Sequence, residues 1–553
     1  MSRPKARTKS VPSPSRTQDD LSPIPVLAST VESHKGLVWA LVLAMGLMLL
    51  TRSLNGLMFG MHEVGTSAAG IWGRNHVHYG LGYTKLYCVW NDCEGTPETM
   101  YPYLDRPPLT GFWVALPMLI FGDHVWVIRM VIIAVTLTTT WLLMVMIGRL
   151  QSTLLAGLAG LFFVLLPMVG YFGRVLQFES LAPIFILFML HGYLQWAQFY
   201  GPKYRPRAGF WCYIIAAVLG ILTDWEPVIM AGLIWICELC RVVMKQASWR
   251  NMIWLTFVPA ISLILVFIHA LWAVNWDMQF PIELFTSRTY KNPITWARWI
   301  PRNWMILLWG FSWFGVVAAI AYLAIIPAIL RWTKSDSLFR LVVPNAKALV
   351  PIFLLTLQGL IWVLGFKRQS YIHEFWQYQL SFFFAVAMAS VLLAAYIALS
   401  RWSPRWATLG IVVLFLAPMP FMTMNRDAYY EKFSDNIRLK NRMNAYIRLA
   451  EICPPRTAVM ASEPCPPGDR GTFGSYTNMD PFPNLAYYIN RPLIAMKDIK
   501  AIEANRDKYP FYVLELLNDT KVYKLARELN TKYNFVNVGD HHLIYDLRRP
   551  KKK

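Results

Sequence analysis

Charge is what this chain has least of. Asp, Glu, Lys and Arg make up 15% of its 553 residues against 56% apolar residues, and the mean hydropathy is +0.37. A soluble domain needs more charged surface than that, so the composition excludes one and leaves a polytopic membrane protein. Acidic residues are the scarcer sign, 32 against 53 Lys and Arg, for a formal net charge of +21. Such a balance can mark a nucleic-acid binder. Here the basic residues gather in short loops between apolar runs, where they report membrane orientation instead, and no nucleic-acid partner is expected.

Cysteine is also sparse, with seven in the chain. Cys88 with Cys93, and Cys453 with Cys465, would each close a small disulfide loop in an oxidising space, or else stand as free thiols. Cys237 and Cys240 form a lone CxxC with no second pair, which argues against metal binding there. His76 and His78 could ligate a metal from an extended segment but lack a clear third ligand, so no metal site is assigned and a divalent cation is left open. An inverted repeat, the mark of many transporters, is not evident either.

What the chain does have is long apolar runs. Residues 1–35, rich in Ser, Pro and basic residues, read as a disordered cytoplasmic tail. Gly36 to Met58 reads as an uncleaved first span leading outward. Leu109–Gly122 is too short for a hydrocarbon core that takes about 20 helical residues, and reads as a re-entrant or interfacial helix. Ten further spans follow: Val125–Ile147, Leu154–Tyr171, Leu181–Phe199, Trp211–Thr223, Val228–Val243, Ile253–Ala273, Met305–Leu330, Leu349–Phe366, Phe375–Leu399 and Leu409–Met424. Eleven spans place the Lys203/Arg205/Arg207, Arg241/Lys245/Arg250 and Arg331/Lys334/Arg340 loops in the cytoplasm, as the positive-inside rule requires. Counting Leu109–Gly122 as a span would put them outside.

The expected architecture is an all-α polytopic membrane bundle, residues 36–424, with a small C-terminal α/β extracytoplasmic domain, residues 425–553. In that domain the pattern predicts a helix near Lys432–Ile452, strands Ala458–Ser462 and Phe511–Leu516, a helix Lys521–Leu529 and a hairpin-like Phe535–Asp546. The sequon Asn518-Asp519-Thr520 lies there too.

Between the first span and Leu109 runs an outer loop, residues 61–108, with far more ionisable groups than a turn needs. The same parity gathers His62, Glu63, Asp105, Arg106, Arg129, Arg174, Glu179, Asp224, Glu226, Lys367, Arg368, His373 and Glu374 on the outer face. Charged groups in apolar surroundings imply mutual pairing or a polar ligand.

Their order carries a resemblance. His62-Glu63 followed by Ala68-Ala69 and Arg74-Asn75 is similar to the Asp-Glu and downstream Ala-Arg-Asn pattern of the protein mannosyltransferase and aminoarabinose (lipid A) transferase superfamily. Tyr101-Pro102 through Arg106-Pro107-Pro108-Leu109 resembles that superfamily's Tyr-Pro-x-x-x-x-Pro-Pro-Leu segment. Phe121-Gly122 with Arg129, Gly173-Arg174 through Glu179, and His373-Glu374-Phe375 resemble three further motifs. The resemblance spans roughly residues 37–400. The chain departs from it where His62 replaces an Asp, Glu179 an Asp, and Arg106 a His or Lys.

The resemblance implies the C-type glycosyltransferase fold and an inverting transfer from a polyprenyl-phosphate sugar to a protein, lipid or glycan acceptor. Such a transfer needs a carboxylate to take the acceptor's proton and cations to stabilise the departing phosphate. Glu63 is the candidate base, with Glu179 and Asp105 as further catalytic carboxylates. Arg106, Arg129 and Arg174 are candidate phosphate ligands, and His62, His373 and Glu374 candidate substrate contacts. Each has a plainer competitor. Glu63 would suit a helix start, Arg129 would snorkel at an interface, Glu179 would pair with Arg174, and His373 and Glu374 would cap a span. Asp224, Glu226 and the Trp-rich stretch Trp276–Trp304 read as structural or acceptor-lining. A bacterial inner membrane is favoured over the endoplasmic reticulum, and a transporter or a non-catalytic scaffold is the alternative.

Overall fold

A computed structural model of the protein describes residues 23–52, 54–58, 62–89, 103–104, 106–279, 282, 294–332, 346–434, 437–454, 457, 459–462, 487–488, 493–516, 520–538 and 542–551. Asp105, Cys93, Cys465, Asn518 and Asp519 lie outside these residues.

Every apolar segment read from the sequence is helical. Six helices are long and apolar enough to cross a membrane: Val125–Leu150, Trp249–Ala273, Trp296–Ala324, Lys347–Gly365, Glu374–Ser400 and Trp406–Ala428. Lys35–Leu50, Thr153–Leu165, Ala182–Trp196 and Pro206–Ile221 are equally apolar but shorter. The protein is thus a multi-pass membrane protein.

Several segments depart from simple spans, among them the following three. Leu154–Tyr171 breaks at Leu166, whose extended backbone (ψ 131°) follows from the proline after it, giving Thr153–Leu165 and Pro167–Phe172. Met305–Leu330 lies inside a longer helix, Trp296–Trp332, kinked at Ser312, where φ is +63°. Phe375–Leu399 starts as a tight 3₁₀ helix, Glu374–Leu380, before Ser381–Trp402 continues as α-helix.

The apolar core runs through Leu142, Leu143, Phe163, Ile186, Leu190, Ala385 and Ala389. Lipid supplies no hydrophobic drive between helices, so close packing of small residues has to hold them. Helices Ala182–Trp196 and Pro206–Ile221 touch through glycines. A Cβ on Gly192 would lie 2.5 Å from the Tyr213 amide, and one on Gly209 2.5 Å from that of Trp196.

Among its described residues, the 61–108 loop begins as a helix. Residues Glu63–Tyr79 form a helix that ends at Gly80, whose φ of +84° turns the chain out. It packs on the short helix Leu109–Phe121, where a Cβ on Gly73 would come within 2.9 Å of Val114 and one on Gly111 within 3.0 Å of Trp72. Leu109–Phe121 has 13 residues, about 20 Å, and exposes Leu119, Ile120 and Phe121 at its far end. Its start is tied to the 222–224 turn: the Leu109 amide donates to the Leu222 carbonyl (2.9 Å) and Thr110 Oγ1 to that of Thr223 (2.7 Å).

The C-terminal region is a five-stranded sheet in the order β2-β1-β3-β5-β4. Strands β1 (Val459–Ala461), β2 (Leu493–Ala495) and β3 (Phe511–Glu515) run parallel, while β5 (His542–Pro550) is antiparallel to β3 and to β4 (Tyr533–Val538). Helix Thr520–Lys532 covers it through Leu525, Ala526 and Leu529, and helix Ile437–Ile452 through Leu449. The expected strands and helices are present. The additional β2 has only three residues, too few for a period to show.

Candidate active site

Glu63 is the first residue of its helix, where the positive end of the dipole favours a carboxylate. Arg129 reaches it from the second turn of Val125–Leu150: Nη2 donates to Glu63 Oε1 at 2.7 Å, and Nη1 to the carbonyls of Leu54 (3.0 Å) and Gly56 (2.7 Å). Both side chains are buried. Glu63 Oε2 has no hydrogen-bond partner among the described residues.

A second cluster lies around Arg106. Its Nη1 donates to both oxygens of Asp224 (2.9 and 3.2 Å) and its Nη2 to Glu179. The turn held by Leu109 and Thr110 brings Asp224 to this position, and Glu179 sits in a short 3₁₀ turn, Phe178–Ser180. Glu179 and Asp224 are 1% and 0% exposed and the Arg106 side chain 11%. Burial pushes the Glu179 carboxyl above the ordinary range, against the attraction of Arg106 and with the repulsion of Asp224. Burial raises Asp224 in the same way. Glu226, next along the chain, accepts from Gln379 Nε2 and feels both carboxylates. Three buried carboxylates therefore share one guanidinium.

A third group links the first two. His62 Nε2 lies 3.4 Å from Glu374 Oε2, and Arg302 Nη2 donates to Glu374 Oε1 at 2.8 Å. The His62 ring is edge-on to Phe172 (5.0 Å) and Phe375 (6.0 Å), and Gln177 donates to the His62 carbonyl. Segments 174–180 and 374–380 thereby join the helix of Glu63 to the carboxylates around Arg106.

Several nominees sit elsewhere. Arg174 donates to the Arg52 carbonyl, which ties it to the end of helix Lys35–Leu50. His373 is half-buried and stacks on Phe375 (5.0 Å), while Lys367 lies 4.5 Å over Trp296. The helix sends His76 inward, with Nδ1 2.8 Å from Thr84 Oγ1, and His78 outward, so the pair cannot grip one ion from an extended segment. No group of three His, Cys, Asp or Glu among the described residues could hold a metal. Cys88 and Cys453 are buried.

Arg302, Gln177 and Gln379 were not nominated from the sequence. The two glutamines carried a signal nonetheless, since a Gln within an apolar run needs a partner.

No protein-family model matches the sequence, and no curated protein matches it. Solved structures do. ArnT from Cupriavidus metallidurans bound to undecaprenyl phosphate superposes with a TM-score of 0.58 at 11% identity, over 92% of this chain and 97% of that one. The oligosaccharyltransferase of Archaeoglobus fulgidus in its apo form gives 0.55 at 10% identity, over 86% of this chain and 69% of that one. The same archaeal enzyme with an inhibitory peptide and a dolichol-phosphate gives 0.50 at 10% identity, over 92% and 74%. At such identities the likeness is one of fold, and the fold is the C-type glycosyltransferase fold that the motifs implied.

Proposed function

We propose that the protein is an integral-membrane, inverting glycosyltransferase that moves a hexosyl or pentosyl group from a polyprenyl phosphate to an acceptor on the outer face of a bacterial inner membrane. Eleven spans would then place the N-terminus in the cytoplasm and residues 425–553 outside. The observation that carries this reading is the Arg106 cluster: a guanidinium held between buried carboxylates, in a fold whose structural neighbours hold lipid phosphates.

In this reading the acceptor oxygen attacks the anomeric carbon, the bond from that carbon to the phosphate oxygen breaks, and the acceptor's proton passes to Glu63 Oε2. Arg129 holds the other oxygen, Oε1, and so orients the base. With Nη1 and Nη2 turned to Leu54, Gly56 and Glu63, Arg129 is placed in that role in preference to phosphate binding. Arg174, bonded to Arg52, likewise braces the site. Arg106 meets the departing phosphate as a positive charge that Glu179 and Asp224 hold in place. Glu179 holds Arg106, and the His62–Glu374 pair lines the acceptor side. Asp105 is kept as a further catalytic carboxylate and His373 as a substrate contact of this reading.

The test is transfer by purified protein from a panel of polyprenyl-phosphate sugars. Glu63→Gln is expected to lower kcat by about 10²- to 10⁴-fold, as for loss of a general base. Full activity in that variant would remove Glu63 from the role, and no transfer from any donor would overturn the reading.

A further inference from the structure

Tyr487 and Tyr488 come from the C-terminal polar region yet lie against the elements that carry Glu63 and Arg129. Tyr487 is buried over the outer-loop helix, where a Cβ on Gly70 would meet its ring at 2.7 Å. The Arg74 guanidinium sits 4.4 Å from that ring and donates to the Tyr487 carbonyl at 2.9 Å. Arg74 also pairs with Asp123, which accepts from Tyr487 Oη at 2.9 Å. Arg74 shares a helix with Glu63, and Asp123 precedes the helix of Arg129, so one tyrosine clasps both.

Tyr488 completes the connection. Its Oη accepts from the Met58 amide at 2.8 Å, and Met58 closes the segment whose Leu54 and Gly56 carbonyls hold Arg129 Nη1. A continuous path of bonds and short backbone runs from Tyr488 through residues 54–58 and Arg129 to Glu63 Oε1. Tyr488 is also near enough to feel the charges of Glu63 and Arg129.

We propose that Tyr487 and Tyr488 are positioning residues that latch the C-terminal region onto the membrane site and fix Arg129 against Glu63. The latch rests on the transfer reaction proposed above for its consequence, and on the geometry alone for its existence. Glycosyl transfer is then coupled to docking of the C-terminal region, which sets the orientation of the base without touching the substrate.

The full-length protein tests this with Tyr488→Phe, which keeps the ring and removes only the acceptor oxygen. By hydrogen exchange, the amides of residues 54–58 are expected to exchange about tenfold faster, as for one lost buried hydrogen bond, while those of Phe511–Glu515 stay unchanged. In kinetics with a polyprenyl-phosphate sugar, kcat falls by about tenfold while the donor KM moves by less than about twofold. In an Arg129→Lys background the Tyr488→Phe loss disappears, because the residue acts through Arg129. Tyr487→Phe, which keeps the ring under Arg74 and removes only the bond to Asp123, lowers kcat in the same way without changing exchange at 54–58, and serves if Tyr488→Phe does not fold. Unchanged exchange at 54–58 in Tyr488→Phe, an equal kcat loss in both backgrounds, or an unchanged kcat in Tyr487→Phe overturns the latch. A wild-type protein that transfers no sugar overturns the proposed function instead, and the exchange result still decides the latch.

Discussion

Three carboxylates buried around one guanidinium leave negative charge in excess, which a low-dielectric site tolerates only if a proton or a ligand offsets it. The upward displacement of Glu179 and Asp224 shows the first route, with burial favouring the neutral acid. His76 shows the same physics with the opposite sign: burial pulls its imidazole down from 6.5 to about 4. Between those values the unfolded chain binds a proton that the folded chain refuses, so stability falls as pH drops through this window and levels off below it. At pH 5 the loss is about 2 kcal/mol relative to neutral pH. Thermal melting at pH 7.5 and 5 should show the drop in the wild type and a smaller one in His76→Gln; equal drops would remove His76 as the cause. Residue types were legible in the sequence, because a charged group beside an apolar run announces itself. Partners were not: nothing in the spacing of Glu63, Arg106, Arg129 and Asp224 says that Arg129 turns to Glu63 and Arg106 to Asp224.

At the scale of elements, glycine explains both what the sequence hid and what holds the bundle. Helix Glu63–Tyr79 contains Gly65, Gly70 and Gly73, each costing about 1 kcal/mol against Ala in a helix, so local preference argues against it. Packing overrides that preference, since a Cβ on Gly65 would lie 2.6 Å from the Leu176 carbonyl and the helix can approach the 174–180 segment only without one. The long apolar runs had no such conflict and were legible as helices, apart from the breaks at Leu166, Ser312 and Ala417. The Gly192–Gly209 crossing gives the sharper prediction. Gly192→Val would push helices Ala182–Trp196 and Pro206–Ile221 apart against backbone atoms, which cannot yield as a flexible side chain could. A destabilisation of about 1–3 kcal/mol is expected, read as a lower melting temperature in detergent. Gly192→Ala should lie between the two, and an unchanged melting temperature for Gly192→Val would show that the crossing is looser than the structure has it.

For the whole molecule, sidedness is the property that loop charge encodes and coordinates do not, because nothing in a helix bundle marks which end faces the cytoplasm. The proposed arrangement nevertheless makes a parity argument that one experiment decides. Between Cys240, exposed near the end of helix Glu226–Val243, and Tyr523, exposed on helix Thr520–Lys532, lie the five proposed crossings that begin at Ile253, Met305, Leu349, Phe375 and Leu409. An odd number places the two residues on opposite sides. The kink at Ser312 and the joint between Pro404–Leu416 and Pro418–Ser434 are the places where the count would fail, since either could return the chain to the side it came from. With the other six cysteines replaced by Ser, a membrane-impermeant maleimide should label Cys240 only in inverted vesicles. With Cys240 also replaced, Tyr523→Cys should label only in right-side-out ones. Labelling of both from one side would make the number of crossings even and move the sheet, with its Tyr487–Tyr488 latch, to the face of the Arg241 and Lys245 loop. The Arg106 cluster and the C-terminal region would then have to be reached from opposite compartments, which the contacts of Tyr487 with Arg74 and Asp123 forbid. Opposite labelling is therefore the outcome expected of the proposed crossings, and the contacts of Tyr487 are consistent with it.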